Sequence, residues 1–404
     1  MPAISYKKGF LVYSPDKGEI TYLDRGNFKK NLLTKNRSAV IKDKKVDYDL
    51  RVFFTITENC NLNCKYCFGN YGKNKGKMSP ILAKKILISM LKKVRKNNRN
   101  KKVQILFSGG EPTLNMELIV SIVDFLKSKQ ISSDFSISTN GIMPEHKLEY
   151  LIKNNFFIRL SCDGIPRIQN LQRPTVAGGP SADILEKNIR KIVKANSRHL
   201  VKVVITPQSL NYMCDAVKYL SNLGIRNIRL DHIRNHGRSL SNYRKMVNQN
   251  MFIENFISIM KHVDDNGLDV ILSNSSIGRF FNPAKSFCQF MGNKNFLAVN
   301  WNGKISKCIE HPDDLRSSFS IGRFKDNQLN INYDKKKRLE SLSVDMMDSC
   351  KDCFAKYICC GGCFNRNKKS TGNCLTPDKY DCEFKKKMIK RIIIYFYENG
   401  LKVK

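Results

Sequence analysis

Three cysteines stand close together early in the chain: Cys60, Cys64 and Cys67, in the pattern Cys-x3-Cys-x2-Cys. Three thiolates on one loop can grip three corners of a four-iron cube. Zinc would normally want a fourth nearby ligand, and none lies close in sequence. The fourth iron of such a cube stays open to a ligand from outside the protein. A structural zinc or a redox-inert cluster is the plainer alternative. A second set occupies the tail: Cys288, Cys308, Cys350, Cys353, Cys359, Cys363 and Cys382. A zinc ribbon would use Cys350, Cys353, Cys359 and Cys363 and leave the other three without a purpose. Of the remaining four, Cys214 reads as a small core residue and Cys162 as a buried structural thiol, whereas Cys360 and Cys374 are alternative ligands.

The elements that must position these residues follow from periodicity. From about residue 50 strand-like and helix-like patterns alternate, with apolar runs at Val52–Thr57, Val103–Phe107, Phe135–Ser138, Phe157–Ser161, Val201–Thr206 and Asn227–Asp231. Ser79-Pro80 opens a helix with the stripe Ile81, Leu82, Ile86, Leu87, Met90, Leu91 and Val94. A second stripe is Leu185, Ile189, Ile192 and Val193. Successive β/α units imply an α/β fold with a parallel sheet, open or curved into a partial barrel. Functional groups in such folds gather at the carboxyl ends of strands. Four suggestive segments lie there: Cys60 after the first strand, Gly109-Gly110-Glu111-Pro112 after the second, Thr139-Asn140-Gly141 after the third and Cys162-Asp163-Gly164 after the fourth. Before residue 49, Gly9–Tyr13 and Glu19–Leu23 flank a turn and read as a hairpin, with no separate folded domain. The expected units are therefore 1–48, 49–280 and a cysteine-rich 281–404 that ends in an amphipathic helix, Glu383–Glu398.

Composition narrows the class. The 404 residues carry a net charge of +36, from 71 basic and 35 acidic side chains. That excess suits an acidic partner, or reflects a Lys-rich coat with no specific role. No window alternates aromatic and basic residues as RNA-binding modules do, so nucleic acid is not the expected partner. No apolar run reaches the about 18 residues of a membrane span, and the N-terminus lacks the layout of a signal peptide. The expected location is the cytoplasm, where 14 cysteines point to metal or catalysis and not to disulfides.

The first cysteine motif resembles the signature of the radical S-adenosylmethionine enzymes, and Tyr66 before the third cysteine fits it. Ser108-Gly109-Gly110-Glu111-Pro112 resembles the family segment that meets the methionyl amine; Glu111 could instead cap the next helix. The resemblance implies a [4Fe-4S] cluster on Cys60, Cys64 and Cys67 whose open iron binds S-adenosyl-L-methionine, giving a 5′-deoxyadenosyl radical. It places further cofactor contacts at Ser138, Asn140, Ser161, Asp163 and Arg173, the last suited to the methionyl carboxylate as a planar donor fork.

The tail spacing resembles the SPASM domain of peptide- and protein-modifying radical enzymes. The implied fold is a partial (β/α)6 TIM-like barrel followed by that domain. Two auxiliary [4Fe-4S] clusters are implied: an outer one on Cys350, Cys353, Cys359 and Cys382, and an inner one on Cys288, Cys308 and Cys363. Related inner clusters often take another cysteine six residues after the first; Lys294 stands there, so the inner cluster could present an open iron to a substrate thiolate. The implied reaction is maturation of a ribosomally made peptide through a thioether or carbon–carbon crosslink. Its partners are the peptide substrate and an electron donor such as flavodoxin or ferredoxin. The alternative is an anaerobic sulfatase-maturating enzyme, which forms formylglycine. That group carries an Asp directly after the second tail cysteine, where this chain has Ile309; Glu310 follows, and on an extended chain it would point elsewhere. Asp231 or Asp163 would then serve as the base. A nucleic-acid-modifying radical enzyme would not need the cysteine-rich tail, and a pure electron carrier would not need Gly-Gly-Glu-Pro.

Overall fold

The computed structural model describes residues 3–14, 19–24, 48–72, 76–94, 102–243, 245–274, 280, 283–288, 290–310 and 318–400. Strands β1 (Ala3–Tyr6), β2 (Gly9–Ser14) and β3 (Glu19–Asp24) make an antiparallel sheet. β2 and β3 are the expected hairpin, in register from Gly9 opposite Asp24 to Ser14 opposite Glu19; its turn, 15–18, lies outside the described residues.

Six parallel strands follow in chain order: β4 (Leu50–Thr57), β5 (Lys102–Gly109), β6 (Ser132–Thr139), β7 (Phe157–Ser161), β8 (His199–Ile205) and β9 (Asn227–His232). They contain the apolar runs that predict them, except that β8 ends at Ile205, one residue short of Thr206. The crossovers carry helices α1 (Pro80–Lys93), α2 (Met116–Ser128), α3 (Glu145–Lys153), α4 (Pro166–Gln172), α5 (Ala182–Lys194) and α6 (Met213–Asn222), and α7 (Gln249–Asp265) follows β9. Helix α1 begins as expected, with Ser79 Oγ accepting from the Leu82 amide at 3.2 Å and Pro80 in the first turn. Its inward stripe is Ala83, Ile86, Leu87, Met90 and Leu91. Ile81, expected in the core, is 67% exposed, because the i, i+3, i+4 spacing of the buried set leaves position 81 on the far side.

The sheet does not stop at the expected boundary near residue 280. Strand β10 (Ile271–Ser273) adds parallel to β9, and β11 (Phe296–Asn300) adds parallel to β4 on the other side, with Phe296 opposite Arg51 and Asn300 opposite Thr55. β12 (Lys304–Ser306), β13 (Ser320–Lys325) and β14 (Gln328–Ile331) extend it as an antiparallel meander. One sheet of eleven strands thus runs from β10 through β9–β4 to β11–β14.

Each parallel strand has two unlike faces. Val52, Phe54, Ile105, Phe107, Ile158, Leu160, Val201, Val203, Ile228 and Leu230 are buried in the main apolar core. The alternate positions include Arg51, Ser108, Ser138, Arg159, Ser161, Lys202, Arg229 and Asp231, which line a cavity. A strand period of two puts these sets on opposite faces, so the polar face was available for chemistry.

After α8 (Tyr333–Glu340) and α9 (Phe364–Thr371), the last helix, α10 (Lys379–Glu398), starts four residues before the expected Glu383, because Asp378 caps it by accepting from the Asp381 amide at 2.8 Å. It packs on α7, where Arg391 pairs with Glu254 at 2.8 Å, and on β2 and β3. Tyr6 on β1 donates to the Glu398 carboxylate at 2.9 Å. Ile392 of α10 is fully buried. Ile392→Ala should therefore destabilise the protein by about 2–5 kcal/mol in denaturant titration.

Candidate active site

The loop that carries Cys60, Cys64 and Cys67 is held from three sides. The segment after β5 grips it first: the Gly110 amide donates to Thr57 O at 2.9 Å and the Glu111 amide to Asn59 O at 2.8 Å. A side chain has no room there. A Cβ on Gly110 would meet Asn59 O at 2.3 Å, and one on Gly109, at φ +149°, would meet Thr57 O at 2.2 Å. The segment after α4 runs alongside on another flank. The Asn63 amide donates to Pro174 O at 2.8 Å, the Lys65 amide to Gln172 O at 2.9 Å and the Val176 amide to Asn61 O at 3.1 Å. On the third side the Arg238 amide donates to Cys67 O at 3.0 Å, and its guanidinium donates to Tyr71 O at 2.7 Å.

Glu111 makes the capping contact that the sequence allows. Its carboxylate is fully buried, is absent from the cavity lining and accepts four hydrogen bonds: from the Thr113 amide (3.1 Å) and hydroxyl (2.7 Å), the Thr139 hydroxyl (2.8 Å) and the Asn140 amide (2.7 Å). It caps the turn Pro112–Asn115 and ties the loop after β5 to the loop after β6. Asn140 is thereby set with its side-chain amide 2.8 Å from Asn61 Oδ1 and 3.9 Å from Cys60 Sγ. Ser138 and Ser161 line the cavity from β6 and β7.

Asp163 is equally committed. It accepts from Arg173 Nε (3.0 Å) and Nη2 (3.2 Å), Tyr66 Oη (2.5 Å), Gln172 Nε2 (2.8 Å) and the Val204 amide (3.1 Å). The pair with Arg173 is buried, with side-chain exposures of 0% and 7%. With so many donors, the carboxylate stays off the cavity wall. It holds Arg173 instead. The guanidinium lies 5.1 Å from the Tyr66 ring centroid and reaches within 4.0 Å of Cys64 Sγ. Asp231 does line the cavity, but it accepts from Arg229 Nε at 2.8 Å and lies 3.7 Å from Lys202 Nζ. Burial alone would raise its pKa; the charges of Arg229, Lys202 and Arg234 overcome that and hold it well below the usual carboxylate range. So low a pKa makes a weak base.

The tail cysteines fall into two sets. Cys288, Cys308 and Cys363 line the same cavity as Cys60, Cys64 and Cys67, and the charge on Cys308 is felt with those of Cys363 and Cys288. Cys350, Cys353, Cys359 and Cys382 stay off the cavity wall and are electrostatically linked to one another. Cys360 turns away, its thiol 3.0 Å from Ala284 O, and Cys162 is buried with its thiol toward Gly164 O at 3.8 Å. Neither lines the cavity. Cys374 and Cys214 are half-buried against the apolar core. Lys307, fully buried beside Cys308, donates to Asn293 O (2.6 Å), Phe296 O (3.0 Å) and Glu340 (3.0 Å), which locks the segment after Cys288 to the strand before Cys308. Burial outweighs Glu340 and brings its pKa down to about 8.

Ile309, Glu310 and Lys294 also line the cavity. That overturns the expectation for Glu310. Strand β12 ends at Ser306, whose hydroxyl accepts from the Cys308 amide at 3.0 Å, so the chain bends and strand alternation no longer applies. Glu310 is ion-paired with Arg366 at 3.2 Å and Arg234 at 3.4 Å. Nothing in the linear pattern marks that bend. The inward cations Arg51, Arg159 and Arg229 were also passed over, although a charged residue alternating with apolar ones inside a strand is a readable signal.

The site fits an iron–sulfur cube and its cofactor. Amide and guanidinium donors face two of the first three thiols, and burial pushes the free Cys60 thiol up to about 12, so that a bound metal would have to draw the proton off. Among the described residues no three Cys, His, Asp or Glu side chains are close enough for one metal ion. A cube spreads its thiolates over separate corners, further apart than the sulfurs around a single zinc.

Residues 54–220 match the Radical SAM superfamily. That domain makes this an enzyme that uses S-adenosylmethionine and implies a [4Fe-4S] cluster; a cysteine-rich C-terminal region follows it. It is 26% identical over 415 residues to the radical SAM cyclopropyl synthase TigE of Paramaledivibacter caminithermalis, covering 96% of this chain and 81% of that one. It is 25% identical over 332 residues to a cysteine-type anaerobic sulfatase-maturating enzyme of Clostridium perfringens, covering 76% of this chain and 86% of that one. Among solved structures, native anSMEcpe with bound AdoMet and Cp18Cys peptide shares the fold, with a TM-score of 0.67 at 19% identity over 87% of this chain and 99% of that one. Among the described residues no helix is long and apolar enough to cross a membrane.

Two substitutions check this geometry. Gly110→Ala should displace the Cys60 loop and lower the iron bound by the first cysteine motif, measured by iron analysis in a variant that lacks the tail cysteines. Asp163→Asn should cost about 3–5 kcal/mol in denaturant titration, because it strands the buried Arg173 charge.

Proposed function

We propose that this enzyme matures a ribosomally made peptide, forming a thioether or carbon–carbon bond at one of its side chains. One observation carries the reading: a single cavity of about 2040 Å³ presents Cys60, Cys64 and Cys67 together with Cys288, Cys308 and Cys363. An ordinary small-molecule pocket is about 300–1,000 Å³, so there is room here for a cofactor and a stretch of peptide at once. The name of the sulfatase-maturating relative and the peptide bound in the structural neighbour support a peptide or protein substrate. The polar inner face of strands β4–β9 supports a TIM-like partial barrel closed around that space.

S-adenosylmethionine on a four-iron cluster supplies, when bound, a 5′-deoxyadenosyl radical. Cys60, Cys64 and Cys67 would hold the cluster. Gly109, Gly110, Ser138, Asn140 and Ser161 would line the cofactor's place, with Tyr66 and Asp163 fixing Arg173 toward the methionyl carboxylate. Glu111 would act one step back, by positioning Asn140. Cys350, Cys353, Cys359 and Cys382 would hold an outer auxiliary cluster. Cys288, Cys308 and Cys363 would hold an inner one, with Lys294 where a fourth thiolate could have been. That arrangement leaves room for a substrate thiolate. Reduced thiols and a flavodoxin- or ferredoxin-like electron donor fit a cytoplasmic enzyme.

A second reading has its own observation. Glu310 reaches the cavity beside Cys308, so the missing Asp at position 309 counts less against sulfatase maturation than the linear pattern suggested. The reconstituted enzyme, reduced anaerobically with S-adenosylmethionine, should release 5′-deoxyadenosine, and Cys60→Ala should release none. A co-expressed peptide should lose the mass of two hydrogens with its cysteine or side-chain carbons crosslinked. A formylglycine on a sulfatase peptide would favour the second reading, and no 5′-deoxyadenosine would defeat both.

A further inference from the structure

The inner face of the sheet carries an excess of positive charge that the chain does not itself balance. Arg51 on β4, Arg159 on β7, Lys202 on β8 and Arg229 on β9 all face the cavity. One carboxylate on those strands, Asp231, joins them there, and Arg229 and Lys202 share it at 2.8 and 3.7 Å. Three other arginines of the cavity have carboxylate partners. Arg173 has Asp163, and Arg234 and Arg366 have Glu310. Arg238 sits on the Cys67 loop.

Arg51 and Arg159 have no carboxylate within ion-pair distance among the described residues. Arg51 is only 8% exposed; its Nε donates to Gln104 at 2.8 Å, and its guanidinium lies 5.8 Å from the Tyr48 ring and 5.6 Å from the Phe290 ring. Arg159 Nε is buried with no hydrogen-bond partner, beside the Phe157 ring at 5.3 Å. Burial, then the charges of Arg229 and Arg51, pull its pKa down, so these guanidinium groups are near enough to repel. Buried like charges with an unmet donor are destabilising until an anion meets them.

The cofactor's carboxylate is not that anion for Arg51. Cys60 follows the carboxyl end of β4, whereas Arg51 stands near its start, six residues before Thr57 and about 20 Å from it along the strand. The Arg51 charge thus lies at the opposite end of its strand from the first cysteines, and Arg159 stands in the middle of β7, opposite Ser138.

We propose that Arg51 and Arg159 bind a carboxylate of the peptide substrate, which makes the enzyme selective for an acidic residue, or a free C-terminus, near the residue it modifies. Planar guanidinium donors suit a carboxylate, and a charge-assisted contact in a site that excludes water fixes register as well as affinity. This inference rests on the peptide-modifying reading of the cavity.

The test uses the anaerobically reconstituted full chain with S-adenosylmethionine and no reductant, so that it binds without turnover. Two pools of random short peptides are passed over it, one with free C-terminal carboxylates and one amidated. Wild-type enzyme should enrich Asp or Glu at one position about tenfold, the selectivity expected of one charged hydrogen-bonded contact. Enrichment in both pools assigns the site to a side chain; enrichment confined to the free-acid pool assigns it to the C-terminus. Arg159→Gln should abolish the preference, and Arg159→Glu should turn it toward Lys or Arg. Peptides retained by wild-type enzyme without acid preference, or a preference unchanged in both variants, overturn the inference and leave the peptide-modifying reading standing. If no peptide is retained, that reading falls and the inference falls with it.

Discussion

Strand β11 lies against β4, Phe296 opposite Arg51, and the arrangement of the molecule depends on that pairing. It joins the cysteine-rich tail to the parallel sheet by a continuous hydrogen-bonded ladder. Because of it Cys288, Cys308 and Cys363 face the same space as Cys60, Cys64 and Cys67. Lys307 reinforces the join from the tail side by drawing Asn293 O, Phe296 O and Glu340 around one buried ammonium. A buried cation with three acceptors is favourable only while all three stay in place, so the site around Cys308 is rigid by electrostatic necessity.

The same logic governs the other wall. Two buried carboxylates organise it without touching the cavity. Glu111 collects donors from the loops after β5 and β6; Asp163 collects them from the first cysteine loop, α4, β8 and Arg173. Each stops the ends of several strands from drifting apart. Some residues left facing the cavity keep hydrogen-bonding capacity open. Ser138 and Ser161 are two such positions; Arg159 is a third.

Much of this was legible in the sequence. The six parallel strands were readable because each alternates an apolar helix-facing set with a polar set, and the loops at their carboxyl ends announced themselves through Cys60, Gly109, Asn140 and Asp163. Of the tail cysteines, Cys288, Cys308 and Cys363 face the cavity, which spacing alone does not reveal. Other features were hidden for identifiable reasons. Periodicity says that Phe296–Asn300 could be a strand, but not that it pairs with a strand about 240 residues earlier, because register is a long-range choice. Glu310 is hidden because strand alternation does not continue past the end of β12 at Ser306. Asp163 looked like a free acid at a loop tip, and only the fold shows Arg173 against it. Arg51 and Arg159 are far apart in sequence, and their shared lack of a counter-charge exists only once the strands are laid side by side.

The unbroken sheet has a consequence for what can reach the chemistry. Two lobes on a hinge could part, admit a bulky partner and shut again. Here the two walls hang from one ladder of strands, so the opening is fixed by the β4–β11 seam. A folded domain of 100 residues has a radius of gyration of about 13 Å and cannot enter a space of about 2040 Å³. If the substrate is the peptide proposed above, it would reach these thiols as a locally unfolded segment, and its modification would come before that segment folds.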